Sequence, residues 1–143
     1  MSDKPLFDSN LLTYIFDNNE PVKQKVCRKL AKRCWEGKQD YMVLIQNLSE
    51  FYVVVTAKIR FPIPKELARE FIQMIFEFRG WRIITPSADA VLSAIEINTE
   101  QDIPYYDALI AATMKENGVS EILTENEKDF RGIPWLKVIN PLR

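Results

Sequence analysis

Short apolar runs separated by longer helical patterns are the feature that most restricts what this chain can fold into. "DYMVLI" (40–45), "WRIIT" (81–85), "SEILT" (120–124) and "LKVI" (136–139) each read as a short strand, as does "PLF" ahead of Asp8. Between them lie "SNLLTYIF", the stretch from Pro21 to Trp35, "NLSEFYVVVTAKI" (47–59), "PKELAREFIQMIFEFRG" (64–80), "PSADAVLSAIEIN" (86–98) and "IPYYDALIAATMKEN" (103–117), all patterned as helices. Strands that are apolar throughout, rather than alternating, are buried on both faces, and parallel strands need crossover helices to do this. The alternation predicts an α/β fold: a three-layer α/β/α sandwich around a small, mainly parallel sheet.

Local signals set the expected boundaries. Asn47 as N-cap with Glu50 at the third helical position resembles a capping box, and Leu48, Phe51, Tyr52 and Val55 then share a face. Leu67, Phe71, Met74, Ile75 and Phe78 make 64–80 amphipathic, with Gly80 suited to its end. Pro104 can occupy the first position of the 103–117 helix, which ends near Asn117-Gly118. A chain of 143 residues, 47% hydrophobic, is enough for one domain spanning 1–143 with a full core. No apolar run approaches the roughly 18 residues of a membrane span, and no signal-peptide pattern opens the chain, so the cytoplasm is the expected location.

The chemistry is bounded by a count of zero histidine. Ser–His and Cys–His nucleophilic pairs, histidine bases and the usual zinc sites are all removed. Cys27 and Cys34 are two helical turns apart, about 10 Å, too far for a disulfide, and are expected as small core residues. What remains is carboxylate, lysine, tyrosine or a hard metal such as Mg²⁺ or Mn²⁺. Net charge is −1, yet Lys23, Lys25, Arg28, Lys29, Lys32, Arg33 and Lys38 crowd a segment whose one acid is Glu36. That segment is either a solvated helix face or a surface for phosphates or an acidic partner. Trp35, Trp81 and Trp135 are expected in the core or at its rim.

Asp107 stands in the first turn of an otherwise apolar helix, beside Ile110, Ala111 and Met114. Two readings account for it: the helix dipole, at about 0.3–1 kcal/mol, or a cation shared with other carboxylates. Sites in parallel sheets collect at the carboxyl ends of the strands. Asp8 ends the first strand, Glu50 opens the helix after the second, Asp107 opens the helix before the fourth, and Asn126 and Asp129 follow the fourth. Each has a local explanation, but a carboxylate cluster at one edge calls for a cation to offset repulsion. Ser9 and Thr124 either hydrogen-bond a ligand carboxylate or cap and turn the chain.

The pieces "LFDSNLLTYIFD", "QNLSEFYVVVTAK", "IPYYDALIAATMKENGVSEILTENEKDF" and "IPWLKVINP" together resemble the PIN-domain ribonucleases, especially the VapC-type toxins of toxin–antitoxin pairs. The third piece is the most specific, joining an acid-started buried helix, a short strand and a T-x-N-x-x-D-F turn. The resemblance implies metal-dependent endoribonucleolytic cleavage, with the family's acidic residues falling on Asp8, Glu50 and Asp107. The fourth position is divided: many relatives carry an acid where Asn126 stands, and Asp129 is the second candidate. Asp8 and Asp107 are then the principal Mg²⁺ or Mn²⁺ ligands, Glu50 binds the ion or orients water, and Asp129 with Asn126 holds outer-shell waters. The partners implied are RNA, a cognate antitoxin and a second copy of the chain. Phe51, Tyr52, Val55, Phe71, Ile75 and Phe78 exceed what one side of a small sheet needs, which also predicts a dimer.

Two other classes remain open on the residues alone. A PIN-like scaffold could bind RNA or protein without cutting it, though a retired site has no need of three clustered acids. The other is an acid-based phosphatase or phosphoacceptor domain: the former usually carries a second aspartate two residues after the first, where this chain has Asn10, and the latter's paired acids and late lysine are not legible.

Overall fold

The computed structural model describes residues 4–143. β1 (Leu6–Phe7), β2 (Tyr41–Leu44), β3 (Trp81–Ile84), β4 (Glu121–Leu123) and β5 (Lys137–Ile139) form a five-stranded sheet in the order β3-β2-β1-β4-β5. All four pairings are parallel. The chain winds away from β1 first toward β3 and then toward β5, so the order reverses between β1 and β4. A crevice is expected at the carboxyl ends of the strands flanking such a reversal.

Period-2 geometry divides each strand between two cores. Leu6, Met42, Leu44, Ile84 and Ile122 face one side, where α5 (Ala88–Gln101), α6 (Tyr105–Glu116) and the short α7 (Glu127–Phe130) pack. Phe7, Tyr41, Val43, Trp81 and Leu123 face the other, under α1 (Ser9–Tyr14), α2 (Pro21–Trp35), α3 (Ile45–Val53) and α4 (Lys65–Glu77). These are the three layers expected from the sequence. α6 is the most deeply placed helix, with every residue from Ala108 to Met114 buried. Its small residues Ala108, Ala111 and Ala112 let neighbouring backbones approach closely.

Several local expectations are corrected. α3 begins at Ile45, directly from β2, with Leu44 as N-cap. Asn47 is therefore inside the helix, and its Oδ1 accepts from the Leu44 N–H at 3.0 Å instead of capping from outside. Glu50 consequently lies in the second turn rather than at the helix start. After Val53 the helix loosens into a π-helical turn, Val54–Lys58. Pro104 is the N-cap of α6 rather than its first residue.

Gly80 does not end α4, which stops at Glu77. A Cβ at Gly80 would meet Cys34 Sγ at 2.8 Å and the Phe78 ring at 2.9 Å, so the residue is needed for close packing of α2 on the β3 edge. Gly118, at φ 72, does turn the chain out of α6 as expected.

The apolar residues predicted to cover a dimer face are mostly spent inside the chain. Phe51, Val55 and Ile75 are fully buried, and Phe71 is nearly so. Helical phase explains the error: that stripe is the one facing the sheet. Leu67 and Met74, expected on the apolar face of 64–80, are instead exposed, as are Val53, Phe76 and Phe61 in the link between the two segments. Cys27 and Cys34 are free and buried. Trp81 is buried, and Trp35 and Trp135 pack on the two cores at their margins. Among the described residues, no helix is long and apolar enough to cross a membrane.

Candidate active site

Register places Asp8. Leu6 pairs with Met42 and Phe7 with Leu123, so Asp8 comes level with Leu44 on one side and Thr124 on the other. It is 5% exposed and caps α1. Oδ1 accepts from Ser9 N at 2.8 Å and Asn47 Nδ2 at 3.3 Å; Oδ2 accepts from Thr124 Oγ1 at 2.7 Å and Asn10 Nδ2 at 3.4 Å. Burial pushes the Asp8 carboxyl above its ordinary range, the bonds from Thr124 and Ser9 act against that, and the Glu50 carboxylate adds to it. A carboxylate has about four lone-pair sites, and these four donors orient all of them.

Asp107 is the third residue of α6 and is half-buried. Its pKa is raised to about 7, chiefly by loss of water, then by a hydrogen bond to Asp129 and the charges of Asp129, Asp8 and Glu50. Both sequence readings of Asp107 therefore have a physical basis: it lies at a helix N-terminus, and it also belongs to a set of mutually repelling acids.

Glu50 is exposed at the rim, where its Oε2 accepts from Ser9 Oγ at 3.1 Å and its Oε1 from Gln46 Nε2 at 2.9 Å. Asp129 faces Asp107, whereas Asn126 stands behind it and donates from Nδ2 to Asp129 Oδ2 at 3.0 Å. Thr124 Oγ1 also accepts from Asn126 N at 3.0 Å and Asn10 Nδ2 at 3.2 Å, joining both sides of the crevice through one hydroxyl.

The predicted residues thus share one sheet edge. Sequence reasoning missed three contributors there. In sequence Asn47 looks like a cap, and Asn10 only like the absence of a second aspartate. Glu125 carries a third arrangement: it accepts from Tyr14 Oη and from Lys23 Nζ, the latter at 2.6 Å, and its backbone N–H donates to Asn10 Oδ1 at 3.3 Å. Glu125 is lowered because the Lys23 and Tyr14 bonds outweigh its desolvation. Lys23, the first cation of the basic segment, is thereby tied to the β4–α7 turn. Lys25, Arg28, Lys29, Lys32 and Arg33 are exposed along α2. A cavity of about 280 Å³ opens beside the acids, lined by Ser9, Asn10, Thr13, Tyr14, Asp17, Glu50 and Val54.

The donor set suits a hard divalent cation. Every candidate ligand is an oxygen, and no lysine or arginine figures among the groups acting on Asp8 or Asp107. Burial lifts Asp107 to about 7 with the help of the neighbouring acids, and a cation would offset both effects. Among the described residues, however, no three Asp, Glu, Cys or His side chains already converge into a metal cage. Asp8 meanwhile is satisfied by amide and hydroxyl donors, of which the longest contact, from part-buried Asn10 at 3.4 Å, is the easiest to give up.

Comparison with known proteins agrees with this fold. The PIN domain profile matches residues 6–136. No curated protein matches the chain by sequence. Among solved structures, a toxin–antitoxin complex from Klebsiella pneumoniae superposes with a TM-score of 0.66 at 25% identity, covering 96% of this chain and 98% of that one. VapC20 of Mycobacterium tuberculosis, a sarcin-ricin loop cleaving toxin, gives 0.68 at 16% identity over 91% and 95% of the two chains. VapBC2 from Rickettsia felis, bound to a DNA fragment from its promoter, gives 0.63 at 21% over 94% and 96%. The last two share the fold. With the profile spanning β1 through the approach to β5 and the acids gathered at the carboxyl edge of a parallel sheet, the chain belongs to the PIN-domain family, whose toxin members are generally ribonucleases.

Proposed function

We propose that this chain is a Mg²⁺- or Mn²⁺-dependent endoribonuclease, one domain over residues 1–143, acting in the cytoplasm as the toxin of a toxin–antitoxin pair. The observation that carries the reading is the acidic edge itself: Asp8 buried and lifted, Asp107 lifted to about 7, and Glu50 contributing to both. Keeping like charges together without a cation costs stability, so the arrangement makes sense as a site for one.

Asp8 and Asp107 would hold the ion, with Asp129 beside Asp107. A bound Mg²⁺ or Mn²⁺ supplies charge neutralisation at the phosphodiester and a lower pKa for attacking water. The chain's own groups do the rest. Ser9 N, Thr124 Oγ1 and Asn47 would keep the Asp8 carboxylate oriented while the phosphate binds. Glu50, exposed and held by Ser9 and Gln46, would orient water and take its proton. Asn126 steers Asp129 and adds no charge, which favours one strongly held ion over two.

The partners follow from the same chemistry. Carboxylates gathered for a divalent cation also match a guanidinium, which pairs with them bidentately, so an antitoxin arginine or lysine can take the ion's place. The Klebsiella pneumoniae neighbour's toxin–antitoxin complex supports an antitoxin as the partner. A second copy would cover exposed Val53, Phe61, Leu67, Met74 and Phe76. Inhibition by a cognate partner that persists after every Arg and Lys is removed from its tail would refute the first. A monomer in sedimentation equilibrium at tens of micromolar would refute the second. The catalytic reading is tested by incubating purified chain with RNA in Mg²⁺ or Mn²⁺ and comparing Asp107→Asn, which should not cut.

A further inference from the structure

Asn47 is fully buried, and its amide is used at both ends. Oδ1 takes the Leu44 N–H, the first N–H left open where β2 turns directly into α3. Nδ2 donates to Asp8 Oδ1, across 39 residues of sequence. The other donors to Asp8 come from its own helix α1 and from Thr124 in the β4–α7 turn. Asn47 is the donor that α3 sends, and α3 is the helix that carries Glu50 one turn further along.

A leucine or methionine would fill this buried position at no desolvation cost, and a serine could serve Leu44. Neither would reach Asp8. Burying an amide is costly unless it is bonded, so its presence here needs a partner that uses both ends. From this geometry we infer that Asn47 is a positioning residue for the metal site. It fixes the Asp8 carboxylate relative to the α3 helix, so that Asp8 and Glu50 present their oxygens to one ion. The inference rests on the nuclease reading and adds to it a residue that touches neither substrate nor ion.

The test measures Mn²⁺ binding to the intact chain by calorimetry, without RNA, in wild type, Asn47→Ala and Asn47→Ser. The serine keeps a hydroxyl for the Leu44 N–H and protects the fold should the alanine variant fail to fold. Ser87→Ala is the control: it removes the cap of α5, where Ser87 Oγ accepts from Ala90 N at 3.0 Å, away from the acids. Loss of an outer-shell partner typically lowers metal affinity about 10–100-fold. Both Asn47 variants should therefore bind Mn²⁺ at least about tenfold more weakly, with Ser87→Ala unchanged. In cleavage assays they should need correspondingly more Mn²⁺ for half-maximal rate, with the RNA KM at saturating Mn²⁺ unaltered. Wild-type Mn²⁺ affinity in a folded Asn47→Ser chain overturns the inference and leaves the nuclease reading standing. A wild-type chain that binds no Mn²⁺ overturns both.

Discussion

Replacing Asp107 by asparagine should stabilise the metal-free protein while abolishing its activity. The folded carboxyl is held at about 7 against an ordinary 3.8, a difference near three units. At about 1.4 kcal/mol per unit, the ceiling on the cost of ionising Asp107 above pH 7 is about 4 kcal/mol. Half-burial and screening by water reduce this, and loss of a charge at the α6 N-terminus takes back about 0.3–1 kcal/mol. A net gain of about 1–2 kcal/mol is expected, or roughly 3–8 °C in Tm for a chain of this size. The sign follows from proton linkage: between pH 4 and 7 the folded state holds more protons than the unfolded state, so wild-type stability falls as pH rises through that window. Asparagine does not titrate. Thermal unfolding in EDTA should therefore show the variant above wild type at pH 7.5, with the gap shrinking at pH 5 and vanishing near pH 4. Adding Mn²⁺ should raise the wild-type Tm much more than the variant's. A variant that melts below wild type at pH 7.5, or a gap that widens toward acid, would show that ionised Asp107 does not destabilise the metal-free fold.

Thr124→Val removes the 2.7 Å bond to Asp8 and leaves a buried carboxylate oxygen short of a donor; urea unfolding should register a loss of about 1–3 kcal/mol, with weaker Mn²⁺ binding. Gly80→Ala sets a Cβ 2.8 Å from Cys34 Sγ, and overpacking of this kind should lower stability by about 1–3 kcal/mol while cleavage per folded molecule is unchanged. Glu50→Gln at the exposed rim should move the denaturation midpoint by no more than about 0.5 kcal/mol yet slow RNA cleavage at saturating Mn²⁺.

The layers and strand positions were legible because burial on two faces leaves no alternation to misread: "DYMVLI" and "WRIIT" have few other uses. Asp8, Asp107 and Asp129 were legible for a related reason, since acids next to apolar runs need a local explanation. What failed was phase and reach. The start of α3 was misplaced because Leu44 has no polar side chain with which to announce a cap, and the acceptor comes from three residues inside the helix. That same shift hid Asn47, whose second partner lies 39 residues away. The supposed dimer stripe was the core stripe, because a helix seen alone gives the spacing of its apolar face but not what covers it. In sequence Lys23 is one cation among seven; its bond to Glu125, 102 residues on, exists only once β4 lies beside β1.

Whether the acids at the carboxyl edge of the sheet make a metal-dependent ribonuclease is decided by incubating the purified chain with a labelled single-stranded RNA in Mn²⁺, in EDTA, and as Asp8→Asn in Mn²⁺. Internal cleavage is expected only in the first, with fragments bearing 5′-phosphate ends. Cleavage that survives EDTA, or that Asp8→Asn performs at the wild-type rate, would contradict that assignment.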